Sequence, residues 1–351
     1  MRKRINVVGA GVMGTDIATA FLEADYEVTL LEANSTVAEG AASRIEKRLP
    51  ANGRLRLAGL ADLDGDAGIV IEAITESLEA KRELLAQVSL RVAPEVAVFS
   101  NTSTLSIEAL ATSVRAPERF AGLHFFFPAH RNPFLEVVSA RRTAPRTLDA
   151  AAQLAIDLRK DHVVCNDRPG FVVNAFYLPL VNEAVRLVDE QVASAAQVDA
   201  VAKAAFGVRV GPLAVTKMMN PQTTHSTLAS LADQGACTPV SPSIVSGAAR
   251  DFDAAGTAAP LADAVAARVR DRLLAAVMLP CLRMLDAGDA QPQAIDLAAT
   301  RALQFGTPPI QLVNSLGRSE VERILRLVLN DWGGTLPDAV AQAGKFITTT
   351  E

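Results

Sequence analysis

His124 and Glu136 are the residue pair of this sequence best suited to proton transfer. They lie in two segments, Phe120 to Phe126 and Phe134 to Val138, that are predicted to be strands joined by a turn, so their side chains can lie side by side. A histidine exchanges protons near neutral pH, and a partly buried carboxylate would fix its tautomer and stabilise the imidazolium form. The sequence therefore predicts general acid–base chemistry at His124. The alternative is a structural histidine packed between aromatic residues.

A glycine-rich segment, Gly9-Ala-Gly11-Val-Met13-Gly14, starts at the end of the strand predicted at 5–9 and begins a predicted helix. Gly9 would allow a tight turn, Gly11 a close approach of backbone amides to a pyrophosphate, and Gly14 close packing of the helix on the strand. The positive end of the helix would favour the phosphate charge. This pattern predicts a dinucleotide site, and the alternative is a glycine turn that binds nothing.

Glu32 ends the second predicted strand, Glu27 to Leu31, and lies 18 residues after Gly14. A carboxylate at this place can accept hydrogen bonds from both ribose hydroxyls and repels a 2′-phosphate. The following residues, 33–35, include no arginine that could bind such a phosphate. The sequence therefore predicts NAD rather than NADP as the cofactor. A solvated glutamate at a strand end is the alternative.

The segments that must position these residues alternate between β-rich runs and helical patterns. Strands are predicted at 5–9, 27–31, 67–72 and 96–100, and helices at 12–24, 35–49 and 76–92, before the two strands that carry His124 and Glu136. This alternation predicts an α/β fold, a Rossmann-type parallel sheet lobe covered by helices. Val163 and Val164 are predicted to end the lobe.

The second half of the chain is almost purely helical and repeats itself. Arg186 to Asp189 matches Arg283 to Asp286 at an offset of 97, and Asp199 matches Asp296 at the same offset. We therefore expect two duplicated all-helical domains, connected through residues 236–260, with chance similarity of Ala-rich sequence as the alternative. The predicted domains are 1–167 for NAD binding, 168–262 for the first helical copy and 263–351 for the second.

The composition excludes several classes of protein. The net charge is −5 and no basic stripe carries interleaved aromatic residues, which argues against a nucleic-acid partner. Cys165, Cys237 and Cys281 are scattered, which argues against a disulfide framework or a zinc site and favours a reducing, cytoplasmic setting. For the same reason we expect no metal. We expect no membrane partner, because the apolar runs are too short for a membrane span or a signal peptide.

Three further segments have the order and spacing of one family: Ser100 to Ser106, Gly122 to Pro128, and Asp167 to Asn174. With the glycine motif they resemble the 3-hydroxyacyl-CoA dehydrogenase family from Ile5 to about Gly317, less specifically in the second helical copy. The resemblance implies an NAD-dependent enzyme that interconverts a 3-hydroxyacyl thioester and its 3-oxoacyl form. It also implies that the second helical copy completes the fold within one chain, although a homodimer remains open.

The resemblance implies a role for each matching residue. His124 falls on the catalytic histidine and Glu136 on its carboxylate partner. Ser103 and Asn174 fall on residues that hydrogen-bond the substrate and the histidine, although either could instead serve a helix start. The remaining matches are cofactor-binding positions: Gly9, Gly11, Met13, Gly14, Glu32, Ala73, Glu76, Lys81 and Ser103.

The sequence departs from the family in places that concern the substrate. Phe127 replaces an asparagine and Ala175 an arginine. Only Ser35 to about Leu63 stands where acyl-CoA enzymes have a long lysine-rich helical hairpin, and the remaining basic residues there are Lys47, Arg48, Arg54 and Arg56. We hypothesise that the acyl group arrives on the phosphopantetheine arm of an acyl carrier protein. The alternative is a shortened hairpin that still binds CoA.

Two other readings of the same residues remain open. One is an NAD-dependent dehydrogenase of a free hydroxy acid or sugar acid on the same scaffold. The other is a nucleotide-binding protein without catalysis. The joint presence of Ser103, His124, Glu136 and Asn174 argues against the second reading.

Overall fold

A computed structural model describes residues 3–50, 53–233, 238–256 and 258–348 of the chain. The chain forms two compact units, Met1–Arg168 and Pro169–Glu351. The end of the first unit lies within one residue of the boundary predicted from the sequence. Both helical copies belong to the second unit, and a domain boundary between them at residue 262 stays a prediction.

Within the described residues, the first unit contains an eight-stranded sheet with the order β3-β2-β1-β4-β5-β6-β7-β8. The strands are β1 (Arg4–Val8), β2 (Glu27–Leu31), β3 (Leu55–Ala58), β4 (Ile69–Glu72), β5 (Ala97–Ser100), β6 (Phe120–Phe125), β7 (Phe134–Ser139) and β8 (Asp161–Asn166). All neighbouring strands are parallel except β6 and β7, which are antiparallel. The predicted Rossmann-type lobe is confirmed.

The inner strands are apolar because both faces of the sheet are covered. Val70 and Ile71 of β4 and Val98 and Phe99 of β5 are fully buried, as expected for central parallel strands. The edge strand β3 was not expected, since its residues carry no buried apolar run and none of them is fully enclosed. A helix but no strand was predicted from the sequence between Ser35 and Leu63, and β3 adds one there.

The helices of the first unit are α1 (Val12–Glu23), α2 (Ser35–Arg48), α3 (Leu78–Arg91), α4 (Ile107–Ala111) and α5 (Pro145–Asp157). Side chains of Asn34, Ser77 and Ser106 cap α2, α3 and α4, which satisfies amides that a helix start leaves without intrahelical partners. Phe21 and Leu22 of α1 pack in the core against the strands. This packing places the start of α1 at the carboxyl end of β1.

The second unit is helical throughout its described part. Its helices are α6 (Val173–Asp189), α7 (Ala195–Phe206), α8 (Pro212–Val215), α9 (Pro221–Asp233), α10 (Pro242–Ser246), α11 (Asp263–Ala287), α12 (Pro292–Leu303) and α13 (Pro309–Trp332). A break at Gly317, whose φ is +71°, divides α13 into two parts. Helices α6 and α11 pack together along their lengths.

The same hydrogen-bond pattern occurs at matching positions of the two predicted copies. Asp199 accepts bonds from the amides of the second and third residues of α8, at 2.8 and 3.1 Å. Asp296 accepts the same two bonds at the start of α13, at 2.7 and 3.0 Å. Asp189 and Asp286 likewise each bond to a helix start 52 residues later. The buried carboxylates of Asp199 and Asp296 thus accept equivalent bonds from helix starts in both copies.

The remaining sequence features have plain structural positions. Cys165 is buried in β8 and Cys281 in α11, while Cys237 lies outside the described residues. Among the helices of the described ranges, none combines the length and apolarity that a membrane crossing requires. In the same part of the chain, no group of three or more histidine, cysteine or acidic side chains is arranged to hold a metal ion.

Candidate active site

The glycine loop joins β1 to α1 and has little room beneath it. Gly9 has a φ of +101°, and a Cβ there would lie 2.7 Å from the carbonyl oxygen of Ala73. A Cβ on Gly14 would lie 1.8 Å from the carbonyl oxygen of Gly9. A Cβ on Gly11 would meet nothing within 4 Å. Close packing within the protein therefore explains why positions 9 and 14 are glycine, whereas Gly11 faces open space.

The open space at Gly11 fits a pyrophosphate. Gly11 is the N-cap residue of α1 and has no side chain with which to cap the first amides. Those amides and the positive end of the helix dipole point at the place where an anion would be stabilised. Met13 lies in the first turn and is partly buried against the core. The loop therefore suits the phosphates of a dinucleotide, as the motif predicts.

Glu32 stands at the carboxyl end of β2, beside this loop. Its carboxylate accepts hydrogen bonds from the amide of Ala10 at 2.9 Å and from the amide of Asn34 at 3.0 Å. These bonds keep the carboxylate next to the glycine loop, and the side chain remains partly exposed. A carboxylate held in this way can accept further bonds from ribose hydroxyls.

We expect Glu32→Gln to lower the preference for NAD over NADP by roughly tenfold. The amide oxygen can still accept the bond from Ala10, but the charge that repels a 2′-phosphate is lost. Dissociation constants for both dinucleotides measure the effect. Glu27→Gln is the matched control, because Glu27 is exposed at the opposite end of β2, and it should leave the ratio unchanged. A full NAD preference in Glu32→Gln would contradict the assignment.

Glu76 organises the loop that carries Ser103. One of its oxygens, Oε1, accepts bonds from the Thr102 hydroxyl at 2.7 Å and from the amides of Ser103 and Thr104 at 2.9 and 3.2 Å. The hydroxyls of Ser103 and Thr104 add two bonds at 3.3 and 3.0 Å. Burial raises the pKa of Glu76, but the Lys81 ammonium and these bonds lower it more, so the pKa lies below its usual value.

Lys81 lies beneath this loop and is almost fully buried, with 1% of its side chain exposed. Its ammonium donates to the Glu72 carboxylate at 2.5 Å and to the carbonyl of Ile74 at 3.2 Å, and lies 3.3 Å from Oε2 of Glu76. The Ser100 hydroxyl donates to the other oxygen of Glu72 at 2.5 Å. Lys81 therefore contacts protein groups, and its predicted contact with the cofactor stays a prediction.

His124 and Glu136 are directly opposite each other in the antiparallel pair of β6 and β7. The His124 Nδ1 and a Glu136 carboxylate oxygen are 2.7 Å apart, and the side chains are 7% and 0% exposed. The ring of Phe126 packs on the imidazole at a centroid distance of 4.4 Å, and the ring of Phe134 lies 5.8 Å behind Phe126. The carboxylate and the aromatic ring together restrict the orientation of the histidine.

The structure places the other predicted residues as follows. Ser106 caps α4, so Ser103 does not serve as that cap. Asn174 is the second residue of α6, whose N-cap is Val172, and it belongs to the second unit. No role was predicted from the sequence for Glu72, which pairs with Lys81, or for Ser100, whose hydroxyl donates to Glu72. The signal for Glu72 was a glutamate at the end of an otherwise apolar strand, whereas Ser100 lay at the start of a segment that resembles the family.

Two family models match the chain and cover more than half of it. The model of the 3-hydroxyacyl-CoA dehydrogenase NAD binding domain matches residues 4–168, and that of the C-terminal domain matches residues 170–252. The chain belongs to the 3-hydroxyacyl-CoA dehydrogenase family. The first unit is the NAD-binding domain of this family of oxidoreductases, so the expected cofactor and enzyme class are confirmed.

Curated relatives carry names within this family. The chain is 35% identical over 231 residues to a 3-hydroxyadipyl-CoA dehydrogenase of Escherichia coli, a match that spans 61% of this chain and 48% of that protein. It therefore spans about half the length of that relative. A probable 3-hydroxybutyryl-CoA dehydrogenase of Bacillus subtilis is 32% identical, with 63% of this chain and 82% of the relative covered.

Solved structures share the fold. A 3-hydroxybutyryl-CoA dehydrogenase from Escherichia coli K12 superposes with a TM-score of 0.85 at 22% identity, over 98% of both chains. A likeness at this identity supports the architecture of both units. An (S)-3-hydroxybutyryl-CoA dehydrogenase from Ralstonia eutropha has a TM-score of 0.63 at 28% identity, over 67% of this chain and 89% of the other.

The departures from the family pattern have distinct surroundings. Phe127 lies just after β6 and is 59% exposed, whereas Ala175 is fully buried in α6. Between β2 and β3 the described residues form one helix, α2. Three of the basic residues in 35–63 have partners within the lobe: Arg48 contacts Glu23, Arg54 contacts Asp25, and Arg56 contacts Thr29 and the carbonyl of Asp62.

Proposed function

We propose that this chain uses NAD to interconvert a 3-hydroxyacyl thioester and its 3-oxoacyl form, with His124 as the proton-transfer residue. The buried pair of His124 and Glu136, 2.7 Å apart in the NAD-binding domain, carries this proposal. A buried histidine against a buried carboxylate is an arrangement suited to general acid–base catalysis. Two relatives are named as dehydrogenases of 3-hydroxyadipyl-CoA and 3-hydroxybutyryl-CoA, and these names support the substrate class.

The roles of the two side chains follow from their contact. The Glu136 carboxylate would accept a hydrogen bond from Nδ1–H of His124, which leaves Nε2 as the basic nitrogen of the ring. Nε2 would take the proton from the substrate hydroxyl as C3 is oxidised, and would return it in the reverse direction. Glu136 would stabilise the imidazolium form, because the pair lies where water screens charge poorly. Phe126 would hold the ring in place.

The cofactor would lie across the carboxyl edge of the sheet. The glycine loop would hold its pyrophosphate, and Glu32 the adenosine ribose. When bound, NAD supplies the hydride acceptor. Ser103 and Asn174 would hydrogen-bond the substrate, as the family resemblance implies.

The carrier of the acyl group is the finer part of the proposal. We infer that a carrier-protein-bound acyl group is accepted at least as well as the CoA form. The observation in favour is that Arg48, Arg54 and Arg56, which could bind CoA phosphates, already have partners in the lobe. A carrier protein would present the same phosphopantetheine arm without the adenosine phosphates of CoA.

A substrate comparison tests the proposed function. We expect NADH formation with a 3-hydroxyacyl thioester, and kcat/KM for a carrier-protein-bound 3-hydroxybutyryl group at least equal to that for 3-hydroxybutyryl-CoA. The same hydroxy acid without a thioester is the matched control and should be turned over far more slowly. A higher kcat/KM with CoA would overturn the carrier inference alone. Turnover of free hydroxy acids, or of none of the three, would overturn the proposed function.

A further inference from the structure

Three charged side chains whose charges do not cancel lie near the carboxyl end of β4: Glu72 ends that strand, Glu76 lies in the loop that follows it, and Lys81 lies on α3. Glu72 and Lys81 form a buried ion pair at 2.5 Å, each with 1% of its side chain exposed. Glu76 lies 3.3 Å from the same ammonium and is 20% exposed. Two carboxylates thus share one cation. One negative charge remains in excess, and it is carried by the more exposed carboxylate, Glu76.

Glu76 is held in its ionised form and in one place. The five hydrogen bonds to its Oε1 come from backbone and hydroxyl donors of residues 102–104. Donors of this kind favour a carboxylate over a carboxylic acid, and they direct Oε1 toward the loop while Oε2 faces Lys81. The excess charge is therefore a fixed property of this edge at neutral pH.

The strand order indicates which half of the dinucleotide this charge faces. In a sheet that begins 3-2-1-4-5-6, a dinucleotide lies across the carboxyl edge with one nucleotide on each side of the first strand. Glu32 follows β2 and thus belongs to the adenosine side. Glu76 follows β4 and lies on the other side, as does His124 on β6. The excess charge is on the nicotinamide side.

We propose that Glu76 makes the NAD-binding domain favour the oxidised cofactor electrostatically over the reduced one. The nicotinamide ring is positively charged in NAD⁺ and neutral in NADH, so a fixed carboxylate nearby stabilises the former selectively. Glu76 would thereby assist release of NADH after substrate oxidation. This role goes beyond the proposed function, on which it rests only for the consequence in turnover.

The test measures binding and needs no substrate. Dissociation constants for NAD⁺ and NADH are determined by titration calorimetry for the full chain and for Glu76→Gln. We expect the ratio Kd(NADH)/Kd(NAD⁺) to fall by about three- to tenfold in the variant. The amide oxygen of glutamine can still accept the loop bonds. Glu83→Gln is the control, since Glu83 is exposed on α3 and its loss changes the total charge equally.

A second pair keeps the test valid if Glu76→Gln does not fold. Glu76→Asp and Glu76→Asn have the same size and differ in charge, so a purely structural role would alter both equally. We expect the higher ratio in the aspartate variant. Equal ratios within both pairs, or the same fall in Glu83→Gln, would overturn the proposal. These binding results are independent of whether thioesters are turned over, so failure here and failure of the proposed function are distinguishable.

Discussion

His124→Ala is expected to lower kcat for 3-hydroxyacyl oxidation at least ~10²-fold while NAD affinity remains that of the unaltered chain. The variant removes the imidazole of the buried His124–Glu136 pair but leaves the glycine loop and Glu32, which are proposed to hold the cofactor. Stopped-flow or steady-state NADH absorbance gives the rate, and calorimetry gives the affinity. Because Glu136 is fully buried, its loss of a partner also predicts a lower melting temperature, so rates are compared well below it.

His225→Ala is the matched control, since His225 is exposed on α9. It should keep full kcat. Comparable rates in the unaltered protein and in His124→Ala would refute the assignment of His124 as the proton-transfer residue. If His124→Ala lost NAD binding together with activity, the result would instead indicate a structural role for His124.

Lys81→Met is expected to destabilise the first unit by about 3–5 kcal/mol. The substitution keeps the apolar stem but leaves Glu72, which is fully buried, without its cation. Breaking one side of a buried ion pair costs far more than an exposed pair contributes. Hydrogen exchange of the amides of β4 and β5 measures the free energy of unfolding of this unit, which a two-unit chain does not report by a single transition.

A second substitution tests the reason for this loss. Glu72→Gln added to Lys81→Met removes the uncompensated charge, so the double variant should be more stable than the single one. Lys47→Met, at an exposed position of α2, should change stability by less than about 0.5 kcal/mol. A single variant as stable as this control would contradict the ion-pair account.

Local features of the chain predicted most of the first unit. Buried parallel strands have continuous apolar runs, and the glycine motif between β1 and α1 depends on neighbouring residues alone. The edge strand β3 was missed because an exposed four-residue strand has no such run. Its pairing with β2 supplies the hydrogen bonds that define it, and pairing partners are not visible in the segment itself.

The sequence by itself determined the residue types of the site: a glycine loop, Glu32 at a strand end, and a histidine and a glutamate on strands joined by a turn. Only the tertiary structure decided the register that places His124 opposite Glu136 and the sharing of Lys81 by Glu72 and Glu76. The physical reason is that a shift of one residue between strands turns every side chain to the other face. Which charges become buried together likewise depends on strands that are distant along the chain.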